Sequence, residues 1–454
     1  MASIETLTEK LGASLAEVPI LDAHTHMDAK HLVARGLDDV MLYHMVISDL
    51  YSAGCPDGAR LSEWPSEEER TNRIQRALPY MPAIANTSIS WGLRTILKDL
   101  YGWTKPITAE NWRKLDGLIR ERSGDPAWAR EVLDRARIRR TCTESWRGHD
   151  GSADDLFQYQ LEWAFPARCQ WGEFEAMVYD MEYVWQFDTP QPPLPVTTGG
   201  QREPVQRQIR TVADANEALD HYVNALPFDR IITTAQTIST DINYIEVDDQ
   251  MMQKALDARA QAGPREQDVY ASYLLNGFLK RLEGRGIMFQ FAFAAEPLPW
   301  ETGSRVRQDT MSQLAMLIAR YPKLQFQCFL ASAHANQTFC TLCRELPNLS
   351  LAGYWWHNFF PRFIQAVMHE RLDMVSVNKL VGFFSDAYTA EWAYAKAVIV
   401  RKFMAKVLAE KVAWGQYDEA TALWTARETL FETPQRLLKM KPRPVTTSGR
   451  TVKA

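Results

Sequence analysis

Val18-Pro-Ile-Leu-Asp22 runs straight into Ala23-His-Thr-His-Met27. A short apolar run after an amphipathic leader reads as a buried strand, with two histidines standing just past its end. Residues two apart on extended backbone project to one face. His24 and His26 can therefore converge on one ion, as neutral imidazoles do for zinc and related divalent metals. Asp22 and Asp28 lie close by, placed to orient the imidazoles or to cap the turn. Chemistry at the end of a first strand is an α/β arrangement, in which functional side chains gather where parallel strands end.

The same alternation continues outward from that junction. Short apolar segments followed by helical ones recur at 138–143, 231–234, 287–294, 324–330, 349–354 and 380–384, which predicts a parallel sheet crossed by helices. Between residues 62 and 130 the pattern changes to charged stretches of helical period carrying Trp64, Trp91, Trp103, Trp112 and Trp128, a helical insertion. The expected organisation is a leader with the first strand (1–61), the insertion (62–130), the remainder of the barrel (131–438) and a flexible, basic, proline-containing tail (439–454). The stretch 187–207, with Pro190, Pro192, Pro193, Pro195, Pro204 and Gly199-Gly200, reads as a long loop or lid over the site.

Composition narrows the function. The chain has 454 residues, 46% hydrophobic and 24% charged, with a formal net charge of −5, and its mean hydropathy is −0.31. These are globular values, against a disordered, collagen-like or membrane-spanning chain. There is no global basic field to attract nucleic acid or an anionic membrane, so a small molecule is the expected partner. Six cysteines in so long a chain make no disulfide framework and read as reduced thiols of a cytoplasmic protein. Cys340 and Cys343 lie on helix-like sequence without a second pair, so buried packing is preferred over metal work. The N-terminal decapeptide carries acids where a signal peptide needs an apolar run, and no later stretch approaches the length of a membrane span; neither export nor insertion is expected.

Further candidates stand at other strand ends. Asp386 is the first acid after the apolar run Leu380-Val-Gly-Phe-Phe, where a carboxylate can bind the metal and act as base; its alternative is to cap the following helix. His44 lies among apolar residues after the first strand, either a core histidine or an acid/base group. His334 follows the 324–330 strand, as a ligand or a polar loop residue. Trp355 and Trp356 precede His357 at another strand end, a pair that can wall a polar substrate while the histidine contacts it.

In their order, these landmarks resemble the uronate isomerases of the amidohydrolase superfamily. The resemblance rests on Leu21-Asp-Ala-His-Thr-His, Leu42-Tyr-His-Met, the insertion containing Asn86-Thr-Ser-Ile-Ser-Trp-Gly-Leu, Thr141-Cys-Thr-Glu-Ser, Gly353-Tyr-Trp-Trp-His-Asn and Val381-Gly-Phe-Phe-Ser-Asp. The tryptophan pair followed by the glycine-led aspartate strand is its most specific part. It implies a distorted (β/α)8 barrel with the site at its C-terminal mouth. His24, His26 and Asp386 would be metal ligands, and His44 an acid/base or hydroxyl-binding group. The implied reaction is aldose–ketose isomerisation of a hexuronate or related sugar acid, with a divalent ion, zinc first, and no organic cofactor.

The sequence departs from that family's pattern in four places. Gln290-Phe-Ala292 stands where a histidine ends the strand, leaving His334 to replace it. Ala387-Tyr388 stands where an arginine follows the aspartate, Met45 where a tyrosine follows the histidine, and Glu144 where an aspartate is expected. Gln290 and Tyr388 join the expected substrate-binding set by their places in that pattern. The alternatives are a metal-dependent hydrolase, lactonase or non-oxidative decarboxylase, and a non-catalytic barrel that binds a sugar acid. The tryptophan-rich insertion is also compatible with a homo-oligomer.

Overall fold

The computed structural model describes residues 3–62, 66–148, 151–162, 171, 174–175, 208–238, 242–293, 308–355, 360–443, 446–447 and 450–451. Eight parallel strands run in sequence order around one sheet: β1 (Ile20–Asp22), β2 (Ile138–Glu144), β3 (Phe157–Glu162), β4 (Ile231–Thr237), β5 (Met288–Phe293), β6 (Phe326–Leu330), β7 (Leu349–Ala352) and β8 (Leu380–Val381). Past β8 the chain pairs with the end of β1. Ala23 N donates to Phe383 O (3.3 Å), Asp386 N to His24 O (3.0 Å) and His26 N to Ala387 O (2.8 Å), which closes the ring. The fold is a (β/α)8 barrel, and its closing seam carries the histidines and the aspartate.

Strand alternation sorts the side chains into two cores. On β5, Phe289, Phe291 and Phe293 face outward, where they meet Phe278 of the Pro264–Leu282 helix and Phe339 of the Asn336–Glu345 helix. Met288 and Ala292 face inward and join Leu21, Cys142, Phe329, Ala352 and Val381 in the barrel interior. Leu438 and Met440 belong to the same inner cluster. The tail expected to fray from residue 439 thus begins docked: Met440 is buried, and Arg443 Nη2 reaches Asp134 Oδ1 at 2.7 Å. Thr446–Thr447 then pairs antiparallel with Arg450–Thr451.

The residues between β1 and β2 are helical in most of their described length, notably Glu67–Ala77, Ser88–Tyr101, Trp112–Ser123 and Trp128–Arg135. The Ser88–Tyr101 helix shows why: Thr87 caps its first turn through Ser90 N, and Gly102, at φ +64°, ends it. The helix after β8, Ala390–Ala413, is apolar nearly all round and is buried between the leader helix Ile4–Leu15 and the insertion. The segment 187–207, read as a lid, lies outside the described residues. Among the described residues five cysteines, Cys340 and Cys343 included, are free and buried.

Candidate metal centre

The chain leaves β1 at Asp22 and β8 at Val381, and the two exits run side by side at the mouth of the barrel. Asp22, fully buried, ties them together: its Oδ1 accepts from Ser385 N (2.8 Å) and His24 N (3.4 Å), its Oδ2 from Thr141 Oγ1 (3.1 Å). Burial pushes this carboxyl up to about 6 against those hydrogen bonds. Asp28 accepts from Lys30 N (2.8 Å) within its own turn. Asp386 takes a left-handed conformation, φ +52°, which costs a non-glycine residue roughly 1 kcal/mol and turns its carboxylate toward the histidines.

Three ligand atoms meet there. His24 Nε2 lies 3.4 Å from His26 Nε2, His26 Nε2 3.1 Å from Asp386 Oδ1, and His24 Nε2 3.7 Å from the same oxygen. Ligand atoms about 2.0–2.2 Å from a tetrahedral ion stand roughly 3.3–3.6 Å apart, so His24, His26 and Asp386 form a group that can hold one divalent metal ion. The other ring nitrogens are occupied. Gln160 on β3 sets its side-chain amide 2.6 Å from His24 Nδ1, and Glu144 at the end of β2 is hydrogen-bonded to His26 Nδ1. Such partners fix both imidazoles with Nε2 toward the ion.

The electrostatics fit a cation. Burial, with His26 beside it, brings His24 down to about 4 and keeps it a neutral ligand. Burial opposes charge on His26 as well, yet Glu144, Tyr388 and Asp386 outweigh it and raise its pKa well above the usual value. Burial raises Asp386 and Glu144 too, but cationic neighbours win, so that Asp386 falls well below the carboxylate range and Glu144 sits at about 2. A pocket that holds two buried carboxylates ionised favours positive charge between them. His24 is also walled by Phe384 (4.8 Å between ring centroids) and Phe329 (5.4 Å), which keep water from that side.

Other expected residues divide. Tyr388 stacks on His26 (4.9 Å) and meets His44 at 5.5 Å, so it stands between the candidate ligands and His44. His44 opens the His44–Ser52 helix; burial holds it neutral, down to about 3, and its Nδ1 is buried without a hydrogen-bond partner among the described residues. Trp355 stacks on Phe384 (5.8 Å) at the mouth. Trp356 and His357 lie outside the described residues. Gln290 is buried inside the barrel, its Nε2 donating to Gln327 Oε1 (2.8 Å).

His334 does not join the ligands. The turn Ala333–Ala335 comes two residues after β6 and leads into the next helix, leaving His334 exposed in a groove of about 550 Å³ among Met311, Met316, Thr338 and Leu342. Ala292, on the inner face of β5, is therefore not replaced by it. Nor does Asp386 cap the following helix, whose N-cap is Thr389.

Several residues in this cluster were not singled out from the sequence. Gln160 lies in Phe157-Gln-Tyr-Gln-Leu-Glu, whose strict period-two alternation was its signal. Glu144 registered only as a departure from a family pattern. Arg147, from the turn after β2, sets its Nε 2.6 Å from Glu144 Oε2 and its guanidinium over the Tyr388 ring at 5.8 Å. Nothing in the local sequence marks it.

No family model matches the chain, and no curated protein sequence does. Solved structures do. The fold is similar to that of a uronate isomerase from Thermotoga maritima (12% identity, TM-score 0.75, 95% of this chain and 97% of that one). It is similar to that of a glucuronate isomerase from Caulobacter crescentus (16% identity, TM-score 0.75, 97% and 95%). A structure described as a metal-dependent hydrolase, from Lactobacillus casei, matches at 13% identity and TM-score 0.56 over 94% and 97%. At such identities the likeness establishes the barrel over nearly the whole length of each chain.

Proposed function

We propose that this protein is a metal-dependent aldose–ketose isomerase acting on a hexuronate or a closely related sugar acid. The observation that carries the proposal is the convergence of His24, His26 and Asp386 within 3.1–3.7 Å at the mouth of a barrel like those of uronate and glucuronate isomerases. A divalent ion, zinc in this reading, would polarise the carbonyl and hydroxyl of the reacting carbons when bound. No organic cofactor is required.

The protein groups divide the remaining work. Asp386, ionised at the ligand cluster, moves the proton between the neighbouring carbons. His44, kept neutral by burial and with a ring nitrogen unpaired among the described residues, binds a substrate hydroxyl or relays its proton. Tyr388 and Trp355 supply ring surface to a sugar. Arg147 answers the absence of an arginine after Asp386: a guanidinium has five N–H donors, enough to hold Glu144 and also receive the substrate carboxylate. In this reading its partner is a small molecule and its setting the cytoplasm, in keeping with its free, buried cysteines. Separately, no described helix is long and apolar enough to cross a membrane.

A second reading, metal-assisted hydrolysis, draws support from the similar structure described as a metal-dependent hydrolase. Glucuronate and galacturonate in D2O, followed by proton NMR, separate the two. The isomerase reading predicts ketose formation with solvent deuterium entering at the carbon next to the carbonyl. Metal-loaded protein that leaves both sugars unchanged would contradict it.

A further inference from the structure

The long helix after β8 buries a lysine ammonium against the closing seam. In Trp392-Ala-Tyr-Ala-Lys-Ala-Val-Ile-Val400 the lysine stands alone among apolar residues, and Lys396 is 1% exposed. A buried charge of this kind must be answered by acceptors. Lys396 Nζ donates to the carbonyl of Ser385, to the Tyr43 hydroxyl (2.8 Å) and to the carbonyl of Asp386 (3.4 Å). The Tyr43 hydroxyl in turn donates to Asp386 O (2.8 Å). Both donors therefore close on the peptide groups of one residue, Asp386, which holds the left-handed conformation.

The same helix grips the other side of this junction. Glu391 accepts from Ala34 N (3.2 Å) and the Tyr101 hydroxyl (2.9 Å), Trp392 Nε1 donates to Val40 O (3.2 Å), and Trp392 stacks on Tyr43 (4.4 Å). Tyr43 precedes His44, the first residue of its helix. One helical face thus sets both the backbone of a candidate metal ligand and the start of the segment that bears His44.

We propose that Lys396, acting through Tyr43 and the Ser385 and Asp386 carbonyls, is a positioning residue: it holds Asp386 in the left-handed backbone that directs its carboxylate at His24 and His26, and locks His44 to the same centre. The inference rests on the reading of those three side chains as metal ligands, and is independent of which substrate the site turns over. Ligand partners one step removed from an ion typically change its affinity about 10–100-fold, so removal of the clamp is expected to fall in that range.

The test is zinc affinity, measured by competition with a chromophoric chelator on purified wild-type protein and on Lys396→Met, Tyr43→Phe and Lys411→Met. Lys411 is the control, a buried lysine near the far end of the same helix, bonded to Asp373 Oδ1 at 2.6 Å. Lys396→Met and Tyr43→Phe are expected to weaken zinc binding about 10–100-fold, and Lys411→Met to leave it unchanged. If Lys396→Met does not fold, the near-isosteric Tyr43→Phe decides the matter. Folded variants with wild-type affinity, or a loss of affinity in Lys411→Met as large as theirs, would overturn the positioning role alone. Wild-type protein that takes up no zinc would overturn the ligand reading, and this inference with it.

Discussion

At the scale of single residues, the site is a set of side chains that share each other's constraints. Glu144 is hydrogen-bonded to His26 Nδ1 and paired with Arg147, so Glu144→Gln should leave the fold intact but lower metal affinity about 10–100-fold, measured as zinc retained through dialysis against chelator. Arg147→Lys keeps the charge and loses the planar fork. If Arg147 receives the substrate carboxylate, KM for a uronate should rise about 10–100-fold with kcat little changed, since a charge-assisted hydrogen bond contributes about 1.5–3 kcal/mol; an unchanged KM would remove it from recognition. His24 and His26 were legible in the sequence because their spacing at a strand end puts them on one face, and Asp386 because it is the first acid after an apolar strand; the left-handed turn that aims its carboxylate was not. Glu144, Gln160, Arg147 and Lys396 were not, because their meaning arises from contacts between segments far apart in the chain: His26 and Glu144 are 118 residues apart.

At the scale of elements, β3 shows what the apolar-run criterion overlooks. Phe157, Tyr159 and Leu161 alternate in sequence with polar residues, so one face packs outward while Gln160, on the other, is buried beside His24. A barrel interior that carries Gln160, Gln290 and Gln327 does not announce itself as hydrophobic sequence. The strand-end glycine of β7 has the opposite clarity. Gly353 is at φ +56°, and a Cβ there would stand 2.0 Å from Phe384 Cβ, the ring that walls His24. Gly353→Ala should therefore cost about 2–4 kcal/mol through left-handed strain and overpacking. Urea denaturation checks this, and loss of bound zinc in the surviving folded fraction would show that the β7–β8 contact also shapes the site.

At the scale of the whole molecule, the order β1 to β8 and the closing seam put the first and last strands of the chain side by side, so the candidate metal centre is also where the barrel shuts. An ion bound there would join residues 362 positions apart in sequence, counted from His24 to Asp386. Metal should then stabilise the entire barrel: at 100 times its dissociation constant a ligand specific for the folded state adds about 2.7 kcal/mol, read as a higher Tm on adding zinc and a lower one on chelation. The most direct test of the account is the rate of ketose formation from glucuronate as zinc is titrated back into chelator-stripped protein, with Asp386→Asn alongside. The account predicts a rate that rises from near zero and saturates at one equivalent in the wild-type protein, and none in the variant. Stripped protein that turns over at the untreated rate, or protein with one zinc bound that forms no ketose, would contradict it.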